Sequence, residues 1–191
     1  MNMNKKTKLT GLIFGLVLMA NTASASLLIE PHVGYNLNAS GNTTENSVAH
    51  EYSYKGGEYG ARLGYQVLGF MAGLDYTHSS MSLDDVTVSG TNYGGSYDRN
   101  EVGIFVGYNL PILLRGWGAY YFKSKAEKDS SNYFKGNTFE LGLGFTALPF
   151  LSLNAMYRIV SWSQHQYGAT SVDPSLTTNE IVIGVSLPLN I

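Results

Sequence analysis

Two stretches of the chain set a hydroxyl beside an imidazole. One is His78-Ser79-Ser80, with Asp84 and Asp85 a few residues on; the other is Ser163-Gln-His165. A serine oxygen becomes a nucleophile when a histidine takes its proton and a carboxylate orients the ring, which is acyl-transfer chemistry. His78, Ser79 and His165 are therefore the catalytic candidates. The bland alternative is that serine and histidine are ordinary neighbours in polar segments. His32, His50, His78 and His165 show no metal-ligand spacing, so neither a metal nor another cofactor is expected.

A second group of ionisable residues is periodic. Glu58, Glu101, Glu140 and Glu180 each open an alternating apolar run, as in Glu58-Tyr-Gly-Ala-Arg-Leu-Gly-Tyr65 and Glu101-Val-Gly-Ile-Phe-Val-Gly-Tyr108. Their separations are 43, 39 and 40 residues. Alternation with period two is a β-strand signal, with one greasy face and one face carrying charge or glycine. A repeat of about 40 residues fits one long hairpin with its loop, and four hairpins give the eight strands of a small closed barrel. The expected fold is all-β: an eight-stranded antiparallel up-and-down transmembrane β-barrel.

The connections alternate in length. Short turns fall at Leu68-Gly69, Pro111-Ile112 and Leu148-Pro149-Phe150, and long polar segments at 38–55, 79–96, 124–136 and 163–178. Short turns on the inside and long loops outside is the outer-membrane arrangement. The fifth strand, Leu114 to Lys123, reads in either phase. Placing Trp117, Ala119 and Tyr121 outward avoids crowding Arg115 and Trp117 into a narrow lumen. It also aligns Tyr35, Tyr76, Tyr121 and Tyr157 as an interfacial girdle, phenol in the headgroups and ring in the acyl chains.

Turn lengths predict which inward residues meet. A two-residue turn at Leu68-Gly69 brings Arg62 opposite Asp75, and a three-residue turn centred on Pro149 brings Glu140 opposite Arg158. The turn at Pro111-Ile112 sets Phe105 beside Gly118 and Tyr120 beside Gly103. Charges in so narrow a lumen must be paired or they destabilise the barrel. The remaining carboxylates, Glu58, Glu101 and Glu180, are expected near the outer mouth, where water solvates them. Two readings of the charges follow, a structural plug and an ion- or proton-binding cluster.

The first 25 residues read as an address. Lys5, Lys6 and Lys8 precede an apolar core at Leu12 to Ala20 and the small-residue site Ala23-Ser24-Ala25, the layout of a cleaved signal peptide. Residues 1–25 are then the signal peptide and residues 26–191 the barrel domain, cleaved near Ala25. The formal charge is −2 for the whole chain and falls further without those lysines, which argues against a nucleic-acid partner. The chain has no cysteine, so an exported protein of this length must draw its stability from a core or a membrane.

With its Glu-x-Gly-x-x-x-Gly-Tyr runs at Glu58 and Glu101 and the alternating strand Glu180–Ile191, the chain resembles the small eight-stranded outer-membrane barrels. These include the OmpA transmembrane domain, the OmpX/Ail proteins and the opacity-type surface proteins. One departure is the end of the chain, Leu-Pro-Leu-Asn-Ile191: members usually end in an aromatic residue, and Pro188 falls inside a strand. The resemblance implies a monomer in a Gram-negative outer membrane, with lipid and lipopolysaccharide around it and the barrel-assembly machinery as its assembly partner. An extracellular partner would meet loops in which Tyr52, Tyr54, Tyr93, Tyr97, Tyr133 and Tyr167 stand among small polar residues. The expected role is structural or adhesive. The alternatives are a lipid A-modifying acyl hydrolase or transferase, whose known sequence patterns neither serine–histidine stretch matches, and a narrow low-conductance pore. Open diffusion channels need roughly sixteen strands.

Overall fold

The computed structural model describes residues 25–191, apart from 46–47, 85–86, 89–90, 93, 149 and 175. The signal-peptide reading, Asp85 and Tyr93 lie outside the described residues. Eight long strands form the wall: β1 (Ser26–Glu45), β2 (Val48–Val67), β3 (Phe70–Leu83), β4 (Gly95–Asn109), β5 (Leu114–Asp129), β6 (Asn132–Leu148), β7 (Leu151–Tyr167) and β8 (Leu176–Ser186). Each pairs antiparallel with the next in sequence, and β8 pairs back onto β1, so the sheet closes. Closure leaves no edge strand with unpaired amides, a condition for a β structure in lipid.

The last strand breaks at Leu187-Pro188, where proline has no amide to give, and resumes at Leu189–Asn190 against β1. The two ends are stitched by reciprocal bonds between Leu27 and Ile191, 2.8 and 2.9 Å. Along the lower wall the outward residues are apolar and exposed, as at Leu63, Tyr65, Phe70, Leu74, Ile104, Val106, Leu141 and Leu143. Exposed apolar surface on this scale marks a face meant for a nonpolar solvent.

The hairpins at Leu68-Gly69 and before Leu151 keep the expected register. Arg62 lies opposite Asp75 and Glu140 opposite Arg158, although Leu148 pairs with Leu151 and a ladder irregularity takes up the difference. The third turn corrects the sequence reading. It spans three residues, with the Leu110 amide bonded to the Leu114 carbonyl (2.7 Å) and Leu113 at φ 63°. One extra turn residue slips the register by one, and a one-residue slip sends every side chain to the other face. Trp117 and Tyr121 are thus inside, 4% and 0% exposed, while Tyr120 and Phe122 face out at 45% and 56%. Gly103 now meets Tyr121 and Phe105 meets Ala119, so large residues still oppose small ones.

The long loops are also shorter than expected. β1 and β2 pair from Glu45–Val48 downward, and only residues 130–131 separate β5 from β6. A span of about 9–11 residues crosses a membrane, so strands of this length rise well beyond one.

Candidate functional site

The lumen is divided into two layers by the alternation of each strand. In the lower layer, six buried carboxylates (Glu30, Glu58, Asp75, Glu101, Glu140, Glu180) face four buried arginines (Arg62, Arg99, Arg115, Arg158) and His32. Arg62 gives its Nε to Asp75 (2.7 Å), Nη2 to Glu140 (3.2 Å) and Nη1 to Glu30 (3.4 Å). Arg158 gives its Nε to Glu140 (2.6 Å) and forks onto Glu58 (2.5 and 2.9 Å). Arg99 forks onto Glu180 (2.5 and 2.9 Å), and Arg115 reaches Glu30 (2.6 Å). Bidentate, charge-assisted bonds of this kind are the strong ones.

Neutral donors add further bonds to these carboxylates. The Trp117 indole N–H donates to Glu140 (2.7 Å), the Tyr121 hydroxyl to Asp75 (3.0 Å), and Ser124 and Thr138 to Glu101 (2.9 and 2.6 Å). The Tyr54 hydroxyl donates to Glu180. Arg62 also stacks over Trp117, 4.4 Å from the ring centroid. Glu58, Glu101 and Glu180 are therefore buried and partnered, not hydrated at the mouth, because Arg99 and Arg158 lie against them. The phase correction is what brings Arg115, Trp117 and Tyr121 into this network.

Above Glu180 the hydrophobic pattern inverts. Tyr54, Met81, Tyr97, Ala126, Phe134 and Trp162 point inward and form an apolar cluster, while Lys55, Ser80, Asp98 and Lys135 take the outward positions. The Phe134 ring lies at the centre of this cap, stacked on His165 (4.1 Å, 7°) and edge-on to Trp162 (5.9 Å). β2 and β4 keep their alternation across the boundary, whereas β1 and β5 each carry an irregularity there, at Asn36/Ala39 and Tyr121/Ser124; above it the hydrophobic face is the inner one, as it must be where the outer surface passes from lipid to water.

His78 and Ser79 are not brought together, whereas Ser80 shares the outer face with His78 and both lie against Asp98 (Ser80 Oγ 2.8 Å, His78 Nε2 4.0 Å). His78 lies on the outer wall, with Nδ1 3.0 Å from the Asn100 Oδ1 and its ring 5.0 Å from that of Tyr59. Ser79 is the next residue on the same strand and so faces the lumen, buried. His165 sits in the cap, its Nε2 3.2 Å from the Asn132 Oδ1. A nucleophile and base on opposite faces of one strand cannot exchange a proton directly. Among the described residues, no group of three or more acidic or histidine side chains is arranged to hold a metal. Tyr35, Tyr76 and Tyr157 are outward and exposed; Tyr121 is not part of that ring and Tyr120 takes the outward place beside it.

No protein-family model matches the chain, and no curated protein matches it in sequence. Solved structures do match in shape. Neisserial surface protein A superposes at a TM-score of 0.51 with 13% identity, covering 87% of this chain and 99% of that one. Ail, the attachment invasion locus protein of Yersinia pestis, in complex with the heparin analogue sucrose octasulfate, gives 0.53 with 11% identity over 85% and 99%. OprG of Pseudomonas aeruginosa gives 0.50 with 8% identity over 88% and 98%. The fold is that of the small eight-stranded outer-membrane barrels. At these identities the likeness extends to the barrel and its strand order, and not to any partner or activity.

Proposed function

We propose that this chain is a monomeric outer-membrane barrel with a filled, non-conducting interior that presents its loop end outside the cell in a structural or surface-interaction role. The observation that carries the reading is the continuous ion-pair layer. Arg62, Arg99, Arg115 and Arg158 each bond a carboxylate on another strand, so the middle of the lumen is bridged by side chains. Residues 1–25 act as the export signal, removed near Ala25, and the barrel-assembly machinery inserts residues 26–191. Tyr35, Tyr76 and Tyr157 sit at the headgroup level. Outward lysines of β5 and β6, Lys123, Lys125 and Lys135, lie above that level and suit the phosphates of lipopolysaccharide or a sulfated glycan of an extracellular partner. Ail's complex with sucrose octasulfate is a precedent for the second in a barrel of this shape.

Planar-bilayer recording of the purified chain, paired with protease treatment of intact cells, tests this. The expected result is no sustained current and cleavage confined to the loop end. A steady open-channel current would overturn the filled interior, and protection of the loops would overturn the orientation.

A further inference from the structure

The apolar cap is not fully packed. Between Tyr54, Met81, Tyr97, Phe134 and Trp162 lies a recess of about 40 Å³ that is partly open to solvent. The recess exceeds the roughly 10–15 Å³ that one water needs, and its exposed wall is apolar, so water there gains no hydrogen bonds from it and an apolar ligand is favoured. A hydrocarbon would replace missing dispersion contacts without displacing any hydrogen bond.

Above it stands one lysine among the rim's charged residues. On β5, Ser124 bonds into the ion-pair layer, Ala126 lines the cap, and Lys128, two residues further along, is exposed at the top. Among the described residues its ammonium bonds a neutral acceptor, the Gly94 carbonyl (2.8 Å), and lies where a side chain at Gly95 would begin. Exchanging a carbonyl for an anion there yields a charge-assisted bond. From Ser124 to Lys128 is roughly 13 Å along the strand, about 10 Å along the axis with strand tilt. That depth matches an extended aliphatic chain of about eight carbons.

We propose that the cap binds a medium-chain aliphatic carboxylate, its tail between Met81, Phe134 and Trp162 and its carboxylate on Lys128. The proposal needs only the closed barrel and stands whichever compartment the loop end faces. A neutral alkane would fill the space and leave Lys128 unused; a phosphate or sulfate alone would use Lys128 and leave the apolar recess unfilled. The carboxylate amphiphile uses both.

The test is a titration of the chain in lipid nanodiscs with carboxylates of increasing length that carry a terminal bromine, read as quenching of tryptophan fluorescence. Only Trp117 and Trp162 report, and Trp162→Phe identifies which is quenched. Affinity should rise about fourfold per methylene up to about eight carbons and then level off. Lys128→Glu should weaken every member at least tenfold and leave that slope intact. Ala126→Phe should flatten the slope, and Met81→Phe serves the same purpose if the first variant does not fold. A rise in affinity that never levels, with Trp162→Phe quenched as well as the parent, means partition into the surrounding bilayer and overturns the site. Equal binding by bromo-alcohols, or by the Lys128→Glu chain, overturns the carboxylate assignment.

Discussion

Gly142 faces Trp117 across the β5–β6 ladder at a point where an added β-carbon would lie 2.1 Å from the indole ring. The glycine is what lets a tryptophan lie across a narrow lumen and donate to Glu140. Gly142→Ala is therefore expected to push the indole off Glu140 and destabilise the barrel by about 1–3 kcal/mol, the usual cost of overpacking. Urea unfolding of the refolded chain, followed by tryptophan fluorescence, measures this. A variant as stable as the parent would show that the indole has another place to go.

Arg158 and Arg62 hold the two ends of Glu140, and each also neutralises a second carboxylate, Glu58 or Asp75. Arg158→Ala and Arg62→Ala each leave buried carboxylates without a cation, which costs about 3–5 kcal/mol. Removing the stranded charge as well should recover part of the loss, so Arg158→Ala with Glu58→Gln is expected to be more stable than Arg158→Ala alone. Heat-modifiable gel migration across a temperature series compares the three. If both single variants unfold where the parent does, the network contributes no stability.

The parts of this network legible in the sequence are those fixed by short turns. Arg62–Asp75 and Glu140–Arg158 follow from counting residues back from a turn, because strand alternation then leaves no freedom. Trp117 and Tyr121 were not legible: Leu113 adopts a positive φ without the glycine or asparagine that normally announces it, so the turn looks one residue too short. The cap was hidden differently. Tyr54, Tyr97 and Trp162 sit among serine, asparagine and glycine, a composition that reads as loop, while they alternate inward on strands that continue above the apolar belt. No spacing in the sequence distinguishes an exposed hairpin tyrosine from one turned into a barrel mouth.

His165 lies above that belt, buried in the cap and stacked on Phe134, and burial holds its imidazole below the usual histidine range. A folded-state value below the unfolded one means that the unfolded chain binds the proton more readily. The stabilising contribution is thus complete above the ordinary value of about 6.5 and is lost as pH falls through the folded value. His165→Phe keeps the stacking and removes the proton site. Between pH 7.5 and pH 5 the parent should lose more stability than this variant in parallel urea titrations, and identical losses would remove His165 from the account.

Leu113 holds φ 63° at the turn that sets the phase of β5. A left-handed backbone costs a leucine of order 1–2 kcal/mol and costs glycine almost nothing. Leu113→Gly should therefore stabilise the barrel, or leave it level once the greater entropy of the unfolded glycine chain is counted. Deleting Ile112 is expected to do the opposite. It leaves a two-residue turn, and a ladder resumed from that turn would carry Trp117 and Tyr121 to the lipid side, together with Arg115, stripping Glu30, Asp75 and Glu140 of their partners. The deletion should abolish the folded gel band while Leu113→Gly retains or strengthens it. Accumulation of a folded deletion chain, with Trp117 accessible to a lipid-borne quencher, would show that the lumen tolerates either phase and that the turn is not what selects it.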